Sequence, residues 1–453
     1  MKSYIVGLFL LFYFSLPQKA QTLSEGIGAL LADELLQKSD VSLAVYDLDA
    51  DSLLYAHRQH KLCRPASVLK LVTSYVAISR LGADYTFDTS IYGNESGDAH
   101  NLYVKGCIDP LFDEDDILAF VSAVPKGIVV DTLYADCSYM DSLYWGPGWA
   151  WDDTPWGFQP YISPLMLCGG CVEVTVTPTA AGESPIVECL PVSSFYSVVN
   201  EAVSGKGEKL SIMRDWLEGG NVIRVTGSCP VEKSERMNLY PSQDFFLAVL
   251  RERIEAAGVE VRNISFSHTP LSATLLYTVS RPIAEVVGEA LLESDNLCAE
   301  ALCYHLGGTY GYRPVRQEMG PKIIESFLEY ELGFSSDFNV ADGSGLSPYS
   351  YISADIILNL LIRINENREA HDIVMAGLPQ AGISGTMKHR MKSGAAYKNI
   401  FAKTGTVKGV CTLAGYAKAA NGHTLAFVIM NQGVMNSSEA RQWQDKVCNL
   451  ICK

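Results

Sequence analysis

The stretch "CRPASVLKLVTSYVAISRLG" constrains the fold of this chain more than any other. Val68, Leu69, Leu71, Val72, Tyr75, Val76, Ile78 and Leu81 cover nearly every face of a helix, and a helix apolar all round belongs in the interior. Pro65 fits its first turn and Gly82 its stop. Inside it stands Lys70, although lysine is among the residues least often buried. Ser67 lies three residues earlier, and residues at that spacing are neighbours on a helix. A serine hydroxyl is a weak nucleophile until a base takes its proton, and a lysine becomes such a base when burial or positive neighbours lower its pKa. The unpaired N–H groups at a helix N-terminus also favour negative charge developing beside Ser67. Alone, Ser-x-x-Lys is weak: chance places it about once or twice in a chain of this size.

The chain's limits suit an extracytoplasmic protein. "MKSYIVGLFLLFYFSLPQKA" has an early lysine and a short apolar core, which predicts a signal peptide over residues 1–20. That core is too short to span a bilayer, and no later run is long and apolar enough, so no transmembrane anchor is expected in the mature chain. The expected location is periplasmic or secreted. A net charge of -16 argues against nucleic acid as a partner and against anionic membrane surfaces. A chain of 453 residues has room for two or three domains.

The 12 cysteines permit disulfides in an exported chain, but their pairing is not legible from sequence. Cys168 and Cys171 flank Gly169-Gly170, which reads as a tight hairpin turn. No second ligand pair at matching spacing accompanies them, and the eight histidines include no His-Glu-x-x-His, so neither metal nor cofactor is expected. Most of the cysteines read as small buried apolar residues or incidental bridges. No Gly-x-Ser-x-Gly elbow occurs, and "GISGT" at Gly382–Thr386 fails at its last position, which leaves a Ser-His-Asp enzyme poorly supported.

Two further stretches carry chemistry. "RPIAEVVGEALLESDNLCAEALCYHLGG" reads as a helix from about Pro282, a break at Ser294-Asp295-Asn296, and a second helix ended by Gly307-Gly308. The plain reading of "SDN" is an N-cap; the functional one is a hydroxyl and an amide held rigidly at a cleft. "NIFAKTGTVKGVCTLAGYAKAANGHTLAFVIMNQ" reads as antiparallel strands, with Ile400–Thr406 the first, a hairpin signal at Ala420-Asn421-Gly422 and a return over Thr424–Met430. Lys403-Thr404-Gly405 then lies on a strand, where lysine and threonine present donors to an anion and glycine admits a close backbone. The plain reading of Lys403 is a solvated edge lysine.

Ser-x-x-Lys, Ser-x-Asn and Lys-Thr-Gly in that order are far more specific together than apart, and they resemble the penicillin-recognising serine enzymes. The long gap from Ser67 to Ser294 has room for one or two inserted domains. That gap, with "LYVKGCIDPLFDEDDI" from Leu102, "GPGWAWDD" from Gly146, "DGSGLSPYSYIS" from Asp342 and "LPQAGISGTMKHRM" from Leu378, resembles the class C low-molecular-mass penicillin-binding proteins, the D-alanyl-D-alanine carboxypeptidase/endopeptidase family. The resemblance covers essentially the whole mature chain.

The resemblance implies an α/β (α+β) fold: a penicillin-binding/β-lactamase-like transpeptidase domain, an antiparallel sheet with helices, interrupted by a nested, mainly β insertion. Its first part is placed at residues 21–90 and its second at 279–453, with inserted domain II over 91–278 and a nested domain III near 163–221. "VSLAVYDLDADSLLYAHR" from Val41 would supply a hairpin that pairs with the C-terminal strands. The resemblance further implies that Ser67 forms the acyl-enzyme with peptidoglycan stem peptides, that Lys70 is the base, directly or through Ser294, and that Ser294 protonates the leaving group. Asn296 would hold the acyl amide. Lys403 and Thr404 would bind the terminal carboxylate, Gly405 would let the substrate backbone come close, the N–H groups of Ser67 and Thr406 would form the oxyanion hole, and β-lactams would be covalent inhibitors. Pro348 stands where many relatives carry a basic residue, which puts side-chain recognition in question, and Asp152 or Asp153 could take the amine of that side chain. Two other classes fit parts of the pattern. A β-lactamase or esterase on the same scaffold is disfavoured by the serine at Ser294 and the long insertion, and a non-catalytic cell-wall or β-lactam sensor would have no need of Ser67.

Overall fold

The computed structural model describes residues 18–96, 99–335 and 337–453. The expected signal peptide lies outside the described residues except at its end, where Gln18 begins the helix Gln18–Leu31. No described helix is long and apolar enough to cross a membrane. The chain divides into two compact units, one of residues up to Val68 with Tyr351–Arg363 and Leu378–Lys453, the other of Leu69–Ser350 with Ile364–Gly377.

In the first unit, five strands form an antiparallel sheet in the order Ile400–Val407, Gly409–Lys418, Thr424–Val434, Asp40–Asp47, Ser52–His57. The hairpin expected from Val41 therefore pairs with the C-terminal strands, with Val41 opposite Asn431 and Val45 opposite Phe427. Alternate residues of a strand face opposite sides of the sheet, so strands buried nearly throughout must be covered on both. Gly409–Lys418 and Thr424–Val434 are of this kind. Against the apolar face of this sheet lie Leu23 and Ile27 of the first described helix and Trp443 and Val447 of the last, Ser437–Ile451. The Trp443 indole N–H donates to the Leu30 carbonyl at 2.9 Å, which satisfies the one polar atom of a ring that is otherwise buried.

The second unit contains three larger sheets. A five-stranded mixed sheet runs Glu260–Phe266, Val129–Asp136, Ala99–Lys105, Thr86–Ser96, Thr274–Pro282. Two three-stranded sheets are built from Lys233–Asn238, Cys171–Thr177 and Ile186–Leu190, and from Ser211–Arg214, Val222–Thr226 and Ser197–Asn200. The helices Leu69–Leu81, Ile283–Leu292, Asn296–Gly308 and Met319–Tyr330 pack on one another. Leu69 to Ile78 are all buried, as the all-round apolar pattern requires. Gly320 lets two of these helices touch: a Cβ there would overlap the Cys303 carbonyl.

Two local expectations are corrected. Pro65 does not start the α-helix. A 3-10 turn, Ala66–Val68, precedes it, because Ala66 takes a left-handed φ of 49° and breaks the helical run before Leu69. Gly169-Gly170 is not a hairpin turn either. Cys168, Gly169 and Gly170 have φ of 50°, 68° and 69° and form one tight turn, while the strand that follows pairs only with Ile186–Leu190 and Lys233–Asn238. Eight of the 12 cysteines are buried and no disulfide joins any two of them, so the bridges the count allowed do not form.

Candidate active site

In the first unit, Ser67 sits half-exposed on the 3-10 turn between the buried Ala66 and Val68. The left-handed φ of Ala66 costs an L-residue about 1–2 kcal/mol, and strain of this kind persists where the surroundings fix it. The strand Ile400–Val407 provides those surroundings. A Cβ on Gly405 would lie 3.0 Å from the Ser67 nitrogen and 3.1 Å from the Ala66 Cβ, and would overlap the Thr412 hydroxyl. That hydroxyl donates to the Pro65 carbonyl at 2.8 Å. Gly405 is thus required by the chain's own close approach to the serine turn, a reason that no local pattern contained.

Lys403 is on the edge strand of its sheet yet fully buried, so it is not the solvated edge lysine of the plain reading. Its ammonium donates to the Thr404 carbonyl at 2.8 Å. Thr404 is half-buried and its hydroxyl donates to that of Thr386 at 2.8 Å, while Thr406 is exposed and accepts from the Arg441 guanidinium at 3.4 Å.

The second unit holds Lys70, Ser294 and Asn296. Lys70 is fully buried, and its ammonium donates to the Asn296 Oδ1 at 2.6 Å and to the Ser344 carbonyl at 2.8 Å. Burial pulls the Lys70 pKa down to about 8, against the opposing pull of Asp342, Glu300 and Asp295. Asn296 is the first residue of its helix, and the capping carboxylate belongs to Asp295, which accepts from the Cys298 N–H at 2.8 Å. The N-cap reading and the functional one therefore fall on adjacent residues. Ser294 is half-buried in the preceding turn with a φ of 66°, a second strained non-glycine residue.

Sequence reasoning missed the parts that hold Lys70. Glu300, one turn beyond Asn296, is buried among apolar neighbours and accepts from the N–H groups of Gly343 at 3.2 Å and Ser344 at 2.8 Å. Asp342 accepts from the N–H groups of Gly345 and Ser347 and from the Trp149 indole at 3.0 Å. These bonds fix the loop whose Ser344 carbonyl receives the lysine, and Gly343 offers its own carbonyl to Thr73 at 2.6 Å. The signal was present in the sequence: "LCAEALCYHL" carries an acid in an apolar run, the same conflict that marks Lys70. Asp152 is exposed and Asp153 half-buried on a short turn, and the exposed Pro348 lies close against Gly148.

A buried amine of lowered pKa paired with an asparagine, on a fold of helices and antiparallel sheet, belongs to the class of serine acyl-transfer enzymes that recognise penicillin. The family described as D-Ala-D-Ala carboxypeptidase 3 (S13) matches residues 23–452. A D-alanyl-D-alanine carboxypeptidase of Actinomadura sp. (strain R39) is 30% identical over 444 residues, covering 91% of this chain and 81% of that one. The D-alanyl-D-alanine carboxypeptidase DacB of Haemophilus influenzae is 25% identical over 418 residues, with 88% and 86% covered. The crystal structure of penicillin binding protein 4 from Haemophilus influenzae superposes with a TM-score of 0.80 at 21% identity, over 96% of this chain and 99% of that one. The chain belongs to the D-Ala-D-Ala carboxypeptidase 3 (S13) family and is a serine peptidase of that class.

Proposed function

We propose that the protein removes the terminal D-alanine from peptidoglycan stem peptides and also cleaves D-alanyl cross-links, through an acyl-enzyme on Ser67, outside the cytoplasm. The observation that carries this reading is the buried Lys70 ammonium, held by Asn296 and the Ser344 carbonyl. With a pKa of about 8, roughly one such lysine in ten is neutral at pH 7, against fewer than one in a thousand at an ordinary lysine pKa. That neutral amine takes the Ser67 proton as the Oγ attacks the carbonyl between the two D-alanines. The bond to the departing nitrogen then breaks as Ser294 passes its proton to the leaving D-alanine amine and is reprotonated by the Lys70 ammonium. Water then hydrolyses the ester, releasing the shortened peptide as its acid and restoring the Ser67 hydroxyl and the neutral lysine. Asn296 holds the acyl amide, Lys403 and Thr404 bind the terminal carboxylate, and the N–H groups of Ser67 and Thr406 stabilise the oxyanion. A β-lactam presents the same carboxylate and carbonyl and stays attached. The domain limits follow the same reading, with residues 91–278 an insertion and 163–221 a piece nested within it.

Purified protein incubated with cross-linked muropeptides is expected to release D-alanine and uncross-linked monomers, detected by mass spectrometry, and penicillin pretreatment is expected to stop both. A stable penicillin adduct on a protein that turns over neither substrate would favour the sensor reading.

Gly405 supplies a second check. Its replacement by alanine pushes a methyl group toward the Ser67 nitrogen. Misplacing one oxyanion donor costs on the order of a hundredfold. Stopped-flow labelling of Gly405→Ala with fluorescent penicillin should slow by that order, and an unchanged rate would remove the Ser67 N–H from the oxyanion site.

A further inference from the structure

The side-chain amide of Asn296 has two orientations of equal shape, and only one presents an oxygen to Lys70. Its Nδ2 donates to the Phe158 carbonyl at 2.8 Å, and because a carbonyl can only accept, this bond turns Oδ1 toward the lysine. The position of the Phe158 carbonyl therefore decides how Asn296 meets Lys70.

Phe158 belongs to a strap, residues 154–159, that runs beside the strand Lys233–Asn238. The Gly157 N–H donates to the Arg236 carbonyl at 2.9 Å, the Asn238 N–H donates to the Pro155 carbonyl at 2.8 Å, and Trp156 bridges Met237. Gly157 permits this closeness, since a Cβ there would lie 2.8 Å from the Arg236 Cβ. The far end of the strap is held by a side chain: Asn238, fully buried, donates through Nδ2 to the Gln159 carbonyl at 2.7 Å. Asn238 is itself oriented by Arg214, whose Nη2 donates to its Oδ1 at 2.8 Å. Arg214 is buried at 1% exposure, and its Nη1 donates to the Gly220 carbonyl at 2.8 Å. A buried guanidinium is costly unless its donors are used, and here Nη1 and Nη2 are bonded while the buried Nε is not, so the two Nη bonds to Gly220 and Asn238 are the ones that hold Arg214 and orient Asn238.

We infer that Asn238, oriented by Arg214, is a positioning residue: it clamps the strap so that the Phe158 carbonyl sets the Asn296 amide with its oxygen on Lys70. This deepens the proposed function and rests on Asn296 acting in acylation. Arg214 ends the strand Ser211–Arg214, so a small separate sheet is linked to the acylation chemistry by four hydrogen bonds, two on each side of the Phe158–Gln159 peptide link.

The test is a double-mutant cycle on the full chain, read as the rate of penicillin acylation. Asn238→Asp keeps the shape and gives Arg214 a carboxylate, so the fold is retained, but it sets an acceptor oxygen against the Gln159 carbonyl and frees that end of the strap, next to Phe158, while the backbone bonds at Pro155 and Gly157 remain. The rate should fall about tenfold, the worth of a lost oriented hydrogen bond. In an Asn296→Ala background the same change should cost less than about twofold, because the amide it acts through is gone. An unchanged rate for Asn238→Asp, or an equal loss in both backgrounds, overturns the positioning role. Asn296→Ala with undiminished acylation would overturn the site assignment and this inference together. If circular dichroism shows Asn238→Asp to be unfolded, Gly157→Ala, which displaces the strap directly, takes its place in the same cycle with the same outcomes.

Discussion

Replacing Ser67 by alanine is expected to abolish covalent labelling by penicillin and to lower peptide turnover by about a thousandfold or more, while the protein stays folded. The Oγ is the atom that forms the acyl bond, and nothing else in the turn can substitute for it. The structural cost is small because Ser67 is half-exposed between buried Ala66 and Val68, where a methyl group fits the space of a hydroxymethyl. Partly exposed substitutions of this kind usually fall within about 0.5 kcal/mol of neutral. The measurement is labelled penicillin followed by intact mass, with a melting curve on the same sample. A covalent adduct on the alanine variant would sink the assignment of Ser67 as nucleophile.

The second large effect belongs to Lys70. Below its pKa of about 8 the neutral share of the amine grows tenfold for each pH unit, so acylation should rise with pH and level off near 8. The sign follows from burial: an ammonium removed from water is disfavoured, its pKa falls, and the base becomes available at lower pH than a solvated lysine would allow. Lys70→Arg keeps the cation, but a guanidinium does not deprotonate in proteins. Acylation should therefore fall by about 10²–10⁴ and lose its rise with pH. Glu300 is also buried, pushed up to about 8 by desolvation and by Asp342, so the native profile belongs to the cluster and not to one group. The arginine variant separates the two contributions, because it removes the lysine's titration and leaves both carboxyls. A pH-dependent rise surviving in Lys70→Arg would assign the base to another group. Stopped-flow labelling across the pH range, with circular dichroism on each variant, reads this directly.

How much of this was legible beforehand can be traced residue by residue. The all-round apolar pattern from Val68 to Leu81 marked an interior helix, and Leu69–Leu81 is one. The break at Ser294-Asp295-Asn296, the strand from Ile400 and the hairpin after Lys418 were equally plain, since caps, turns and alternation act over a few residues. Motif order alone put forward Ser67, Lys70, Ser294, Asn296 and Lys403 as candidates, and of these Lys70 and Asn296 are joined by a hydrogen bond. The Gly169-Gly170 turn was misread because two residues with positive φ suit a hairpin, and only the sheet's pairing shows that no strand precedes them.

What tertiary structure decided is which atom meets which. Lys70 and Asn296 are 226 residues apart, and Asn296 and Phe158 are 138 apart. The burial of Lys403, the left-handed turns at Ala66 and Ser294, and the Glu300 and Asp342 bonds to the 342–347 loop all depend on neighbours of this kind. By itself the sequence determined the elements, the motifs they carry and the conflict of a charge inside an apolar helix. The fold resolved that conflict, because a buried polar group must find its partner, and the partner's address lies in packing and not in local propensity.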